Sequence, residues 1–268
     1  MEPAHRAADG GIGRLTVPAR YRERPPHPAL AQVLTCTWSG AARDGMRILP
    51  DGCIDIVWIG DSALTVAGPD TKPVVAEMPD GTLTVGVRFR PGRAPGFLGV
   101  GAAELTDRSA TLEELWGRDA AFLAERLGAA PSIEAKEALL EEALLGRLHV
   151  AKPPDDNIEA AVEAIAATPS TVRVGALSAE VGLSERHLRR RFERAVGYGP
   201  KTLGRVLRFR RFLSLAEDHG VPLARAAAEA GYADQPHLTR ECSDLAGLPP
   251  AELLAVRNVQ DGVRTLGA

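Results

Sequence analysis

Two stretches of this chain follow one pattern, and that repeat constrains the fold more than any other feature. LSAEVGLSERHLRRRF (177–192) and AAAEAGYADQPHLTREC (226–242) each read as a short Ala-rich helix, a Glu two residues before a Gly, and a polar residue opening a second helix. Counted from Ser184 and Asp234, both carry His at +3 (His187, His237), Leu at +4 (Leu188, Leu238), Arg at +6 (Arg190, Arg240) and an apolar residue at +8 (Phe192, Cys242). Gly182 and Gly231 fall where a helix must end in a left-handed residue. Ser184 and Asp234 can accept the free N–H groups of the helix that follows. The pattern predicts two helix-turn-helix units.

Charge agrees with that reading. Residues 1–156 hold 17 Lys+Arg against 22 Asp+Glu, and 157–257 hold 14 against 12. Within 184–211 there are ten basic residues and two acidic ones, although the whole chain has net charge -3. Such a cluster attracts a polyanion even on an acidic protein. In the first unit Leu188, Phe192 and Ala195 share one helix face, so the opposite face carries Arg186, Arg189 and Arg190. Arginine on such a face can contact guanine O6 and N7 in the major groove, while Arg191 and Arg194 lie to the sides, placed for phosphates. The matching face of the second unit holds Gln235, His237 and Arg240 as base readers, with Thr239 assigned to phosphate. Between the units, GPKTLGRVLRFRRFLSLAED predicts a linker helix with Leu203, Val206, Leu207, Phe212 and Leu213 inward and Lys201, Arg205, Arg208 and Arg211 toward phosphates. At 1.5 Å per residue a helix of ~18 residues spans ~27 Å, enough to set two recognition helices near one DNA turn apart.

The front half has a different texture. QVLTCTWSG, MRILP, CIDIVWIG, ALTVAG and TLTVGVRFR are short runs closed by Gly, Pro or Asp, as in an antiparallel sandwich or barrel. TLEELWGRDAAFLAERLG and SIEAKEALLEEALLGRL then read as helices. Their stripe Leu139, Leu140, Leu144, Leu148 packs on its own domain or offers a dimer face. The expected organisation is α+β with two domains: a flexible leader (1–29), a β-rich sandwich or barrel with trailing helices (30–150), a linker (151–156), an all-α tandem helix-turn-helix domain (157–257) and a tail (258–268).

Several classes are disfavoured. No apolar run approaches a membrane span and the N-terminus lacks a secretory h-region, so a cytoplasmic protein is expected. No histidine lies between 30 and 100, which argues against a metal-binding cupin enzyme, and GxSxG, HExxH and GxxxxGK[ST] do not occur. Neither catalysis, nor a metal, nor a cofactor is expected. Cys36, Cys53 and Cys242 read as buried thiols, with Cys36 and Cys53 as an alternative sensing pair across neighbouring strands. In the front half Arg88, Arg90 and Arg93 could bind an anionic effector and Trp38, Trp58 and Phe89 could line an apolar cavity. The simpler assignment makes the arginines ion-paired and the aromatics plain core.

Residues ~157–257 resemble the DNA-binding domain of the AraC/XylS family of transcription regulators. VGLSERHLRRRFERAVGYGPKTL is similar to the family's first unit, and GYADQPHLTREC…LAGLPPAEL to its signature over the second. By position the resemblance puts the base-contacting residues on Arg186, Arg189, Arg190, Gln235, His237 and Arg240. Cys242 stands where the family usually has Phe, and Ser178 where alanine is usual. The resemblance implies that the β-rich front half (30–150) is a cupin-like β-barrel for sensing or dimerisation, and that the partners are double-stranded DNA, with a small-molecule effector, RNA polymerase and a second copy of the chain besides. The competing expectation is a nonspecific nucleic-acid-binding adaptor with a protein-binding front half.

Overall fold

Leu83, Val85, Val87 and Phe89 alternate with Thr84, Gly86 and Arg88, and this period of two sets the first layer of the protein. In the computed structural model, which describes residues 21–60, 63–217 and 221–261 (side chains to 256), that stretch is the middle of a sheet. The strands are β1 (Arg22–Arg24), β2 (Leu34–Ala41), β3 (Arg47–Ile48), β4 (Ile54–Ile59), β5 (Ala63–Ala67), β6 (Val74–Val75) and β7 (Leu83–Phe89). After two short helices, α1 (Ala94–Leu98) and α2 (Ala102–Leu105), comes β8 (Ser109–Thr111). The six-stranded sheet runs β1-β2-β7-β4-β5-β8, and β3 pairs with β6 as a separate ribbon. Among the described residues β1 and β8 are its edges, so the sheet is open rather than a closed barrel.

Helices α3 (Leu112–Trp116), α4 (Arg118–Ala129) and α5 (Ile133–Arg147) follow. Val85, Val87 and Phe89, all fully buried, meet Ile56, Trp58, Leu140 and Leu144 in one core. Leu140 and Leu144 therefore serve their own domain, while Leu148 is 38% exposed. The opposite sheet face carries a small satellite of Cys36, Trp38 and Val57. Gly86 seats the Trp38 indole: a Cβ there would lie 2.6 Å from the ring. Residues 1–20 of the expected leader (1–29) and residues 262–268 of the tail lie outside the described residues, whereas 22–29 are part of the front domain. Arg22–Arg24 pair with Thr37–Ser39, and Leu30 is fully buried. Arg22 and Arg24 also reach across to Glu134, Glu137 and Glu141 on α5, which no local sequence pattern announces.

The rest is helical: α6 (Asp156–Ala167), α7 (Val174–Glu180), α8 (Glu185–Val196), α9 (Pro200–Ala216), α10 (Leu223–Ala230), α11 (Gln235–Ala246) and α12 (Pro250–Asp261). Phe192, Phe209 and Phe212 are fully buried in a second core, each contributing about 1.5–3 kcal/mol. Phe209 was absent from the apolar face expected for the linker helix, and Val196 rather than Ala195 completes that of α8. Leu49, from the loop between β3 and β4, belongs to this second core. The two cores thus interlock. The Tyr198 hydroxyl would sit 3.6 Å from a Cβ on Gly52, and Arg93 forms an ion pair with Glu159 of α6. Among the described residues no helix is long and apolar enough to cross a membrane.

Candidate nucleic-acid interface

Each predicted turn is built as its residues require. Gly182 (φ +66) and Gly231 (φ +94) are left-handed, which glycine adopts without a Cβ penalty. Ser184 Oγ accepts from the His187 N–H at 3.4 Å, and Asp234 Oδ1 from the His237 N–H at 2.7 Å, so both recognition helices are N-capped. The shorter, charged bond lies at the second unit. Leu188, Phe192 and Val196 bury one side of α8, and Leu238, Cys242 and Leu245 one side of α11. That leaves Arg186, Arg189, Arg190 and Arg194 exposed on α8, and Gln235, Pro236 and Arg240 exposed on α11. Cys242 is fully buried and burial pushes its thiol up to about 12, so the departure from Phe still yields a core residue. Ser178 is also accommodated, its hydroxyl donating to the Gly175 carbonyl at 2.9 Å.

The structure separates the expected cationic surface into two groups. Lys201 and Arg211 are exposed on α9. Arg208, expected on phosphates, is buried: its guanidinium pairs with Glu241 and sits 5.1 Å from the Tyr232 ring centre. The reason is helical spacing, since Arg208 is four residues before Phe212, on the same stripe that packs inward. Arg205 points the same way, its Nε 3.1 Å from Glu241 and Nη2 2.9 Å from Asp244. Arg191 is held in a forked contact by Asp155, at 2.6 and 2.5 Å, and so is occupied at the start of α6. His237 is only partly exposed, its ring 5.2 Å from that of Tyr232 and its Nε2 3.6 Å from Glu241. Thr239 turns its hydroxyl back to the Gln235 carbonyl at 2.9 Å. Sequence reasoning did not find Glu241, Tyr232 or Asp155. One signal was available: Glu241 interrupts the inward face formed by Leu238, Cys242 and Leu245, a position where a carboxylate needs a cation.

The effector candidates in the front half do not come together. Trp58 is on the core face of β4 and Trp38 on the opposite sheet face, so they cannot line one cavity. Phe89 is plain core. Arg88 is occupied by Asp55 (3.0 Å), Asp51 (3.3 Å) and Glu23 (3.3 Å); its burial works against the charge, and Asp55 and Asp51 more than offset it. Trp38 Nε1 donates to the same Asp55 at 3.0 Å. Arg90 donates to the Ala31 carbonyl at 3.0 Å, away from Arg88's partners. β7 lies between the strands that carry Cys36 and follow Cys53, so the two cysteines are not on neighbouring strands. Two strand spacings are ~10 Å, too far for a disulfide. Burial raises the Cys36 thiol to about 12 and that of Cys53 well above its ordinary value. Among the described residues, no three His, Cys, Asp or Glu side chains gather in a way that could hold a metal ion.

Comparison with known proteins follows the same division. Residues 22–111 match a domain of unknown function, DUF6597, and residues 177–255 match a helix-turn-helix domain. No curated protein matches the chain. Among solved structures the chain is similar to an apo lysine-to-alanine variant of ToxT from Vibrio cholerae, at TM-score 0.49 and 13% identity over 87% of this chain and 99% of that one. A second ToxT structure from Vibrio cholerae gives TM-score 0.46 and 12% identity over 82% and 96% of the two chains. An unsaturated fatty acid-bound wild-type ToxT from Vibrio cholerae gives 0.45 and 12% over 81% and 94%. Behind its DUF6597 domain, this chain carries a DNA-binding helix-turn-helix domain of the AraC type.

Proposed function

We propose that the protein is a sequence-specific transcription regulator whose two recognition helices read successive major grooves on one side of a duplex. The observation that carries this reading is the pair of capped helices α8 and α11, each anchored by a buried face and each presenting exposed side chains suited to base edges. In this reading Arg186, Arg189 and Arg190 contact bases in one groove and Gln235 and Arg240 in the next. Arg194, Lys201 and Arg211 flank them as phosphate contacts. His237 acts mainly by orienting α11. The front domain (30–150, together with 22–29) supplies the regulatory input, an effector or a second copy of the chain, and transmits it through its contacts with α6, α8 and α9.

Competition between a selected duplex and a random one for the full-length protein tests this function. A specific regulator prefers its site by roughly 10³-fold or more. A ratio near one would make the exposed arginines a nonspecific phosphate patch.

A further inference from the structure

We infer that Glu241 is a specificity-determining residue: it withholds Arg205 and Arg208 of the linker helix from DNA and uses them to fix the pose of the second recognition helix. The inference rests on the DNA-reading function proposed above. It starts from a carboxylate in the wrong place for a surface residue. Glu241 is 5% exposed, on the inward face of α11 beside Leu238, Cys242 and Leu245. A buried carboxylate stays charged only when it is paired and hydrogen-bonded. Here Oε2 accepts from Arg208 Nε at 3.1 Å, while Oε1 accepts from Arg205 Nε at 3.1 Å and from Arg208 Nη2. Arg205 is further tied to Asp244 at 2.9 Å, and the Arg208 guanidinium carbon lies over the Tyr232 ring, 5.1 Å from its centre, at the turn of the second unit. One carboxylate therefore joins α9, the turn and α11.

The internal repeat supplies an independent observation. Counted from the caps Ser184 and Asp234, Glu241 corresponds to Arg191, at +7 in each unit. Arg191 is likewise engaged sideways, by both oxygens of Asp155 at the start of α6. The same position, with opposite charge, ties each recognition helix to the helix that supports it. In the second unit this geometry removes two cations from a linker helix whose sequence would otherwise lay them along the phosphates.

Salt dependence separates this arrangement from ordinary phosphate contact, because each phosphate-bound cation adds about 0.9 to the slope of log K against log salt. In the full-length protein on a selected duplex, Arg205→Gln should leave that slope unchanged while lowering discrimination at the block read by α11. Glu241→Gln should steepen the slope by up to about 0.9 for each arginine released. It should also raise affinity for random duplex, and adding Arg205→Gln should reverse part of that gain. Lys201→Gln is the phosphate reference and should flatten the slope. If Arg205→Gln flattens it as Lys201→Gln does, Arg205 contacts DNA and the inference is overturned. That comparison decides even where Glu241→Gln fails to fold. Absence of any sequence preference in the unaltered protein would overturn the DNA-reading function, and this inference with it.

Discussion

The Thr106 hydroxyl donates to the Gly197 carbonyl at 2.8 Å, joining the front domain to the residue that ends the first recognition helix. Gly197 is left-handed, at φ +102, and a Cβ there would lie 2.5 Å from Pro69 Cγ and 2.7 Å from Thr106 Oγ1. Gly197→Ala therefore combines backbone strain with a clash between domains. A loss of about 1–3 kcal/mol is expected, read as a lower urea midpoint, together with faster proteolysis between α5 and α6. Unchanged stability and cleavage would show that this contact does not hold the domains together.

The two caps should differ in worth. Asp234→Ala removes a 2.7 Å charged bond and Ser184→Ala a 3.4 Å neutral one. Both fall in the range of about 0.5–2 kcal/mol, with Asp234→Ala the costlier in thermal unfolding.

On DNA, Arg190→Ala and Arg240→Ala should each relax discrimination at a single base pair by about 1–3 kcal/mol, one in each block. Lys201→Ala should weaken all sequences alike. Measured affinities for a panel of single-base variants decide, and identical behaviour of the three would contradict the division into base and phosphate contacts.

Asp70 is raised from 3.8 to about 7, first by burial and then by Asp107, Asp51 and Asp55, with Lys72 opposing. A carboxylate whose folded value lies above its unfolded value binds more protons when folded. Its stabilising contribution is complete below about pH 4 and is lost as pH rises through about 7. The unfolding midpoint should therefore fall between pH 5 and pH 8, and Asp70→Asn should flatten that part of the profile.

The tandem units were legible because their determinants are local: a left-handed glycine, a capping side chain and an i, i+4 apolar face all fall within sixteen residues. The strands of the front half were legible for the same reason, from the alternation at 83–89. Its edge strands were not. β1, β6 and β8 are two or three residues long, and β1 is tied down, besides its pairing with β2, by Arg22 and Arg24 reaching Glu134, Glu137 and Glu141 more than a hundred residues away. The candidate site divided likewise. Exposure of Arg186, Arg189 and Arg190 follows from the buried face of one helix, whereas the fate of Arg208 depends on Glu241, thirty-three residues further on in another helix. Trp38 and Trp58 share a residue type, but they lie opposite the successive residues Gly86 and Val85 of β7 and so on opposite faces.

Selection of bound duplexes from a random pool, with the full-length protein at physiological salt, tests the central claim most directly. The paired recognition helices predict enrichment of two short blocks with centres about one helical turn, ~34 Å, apart. An unenriched pool, with binding that disappears as salt rises, would contradict it.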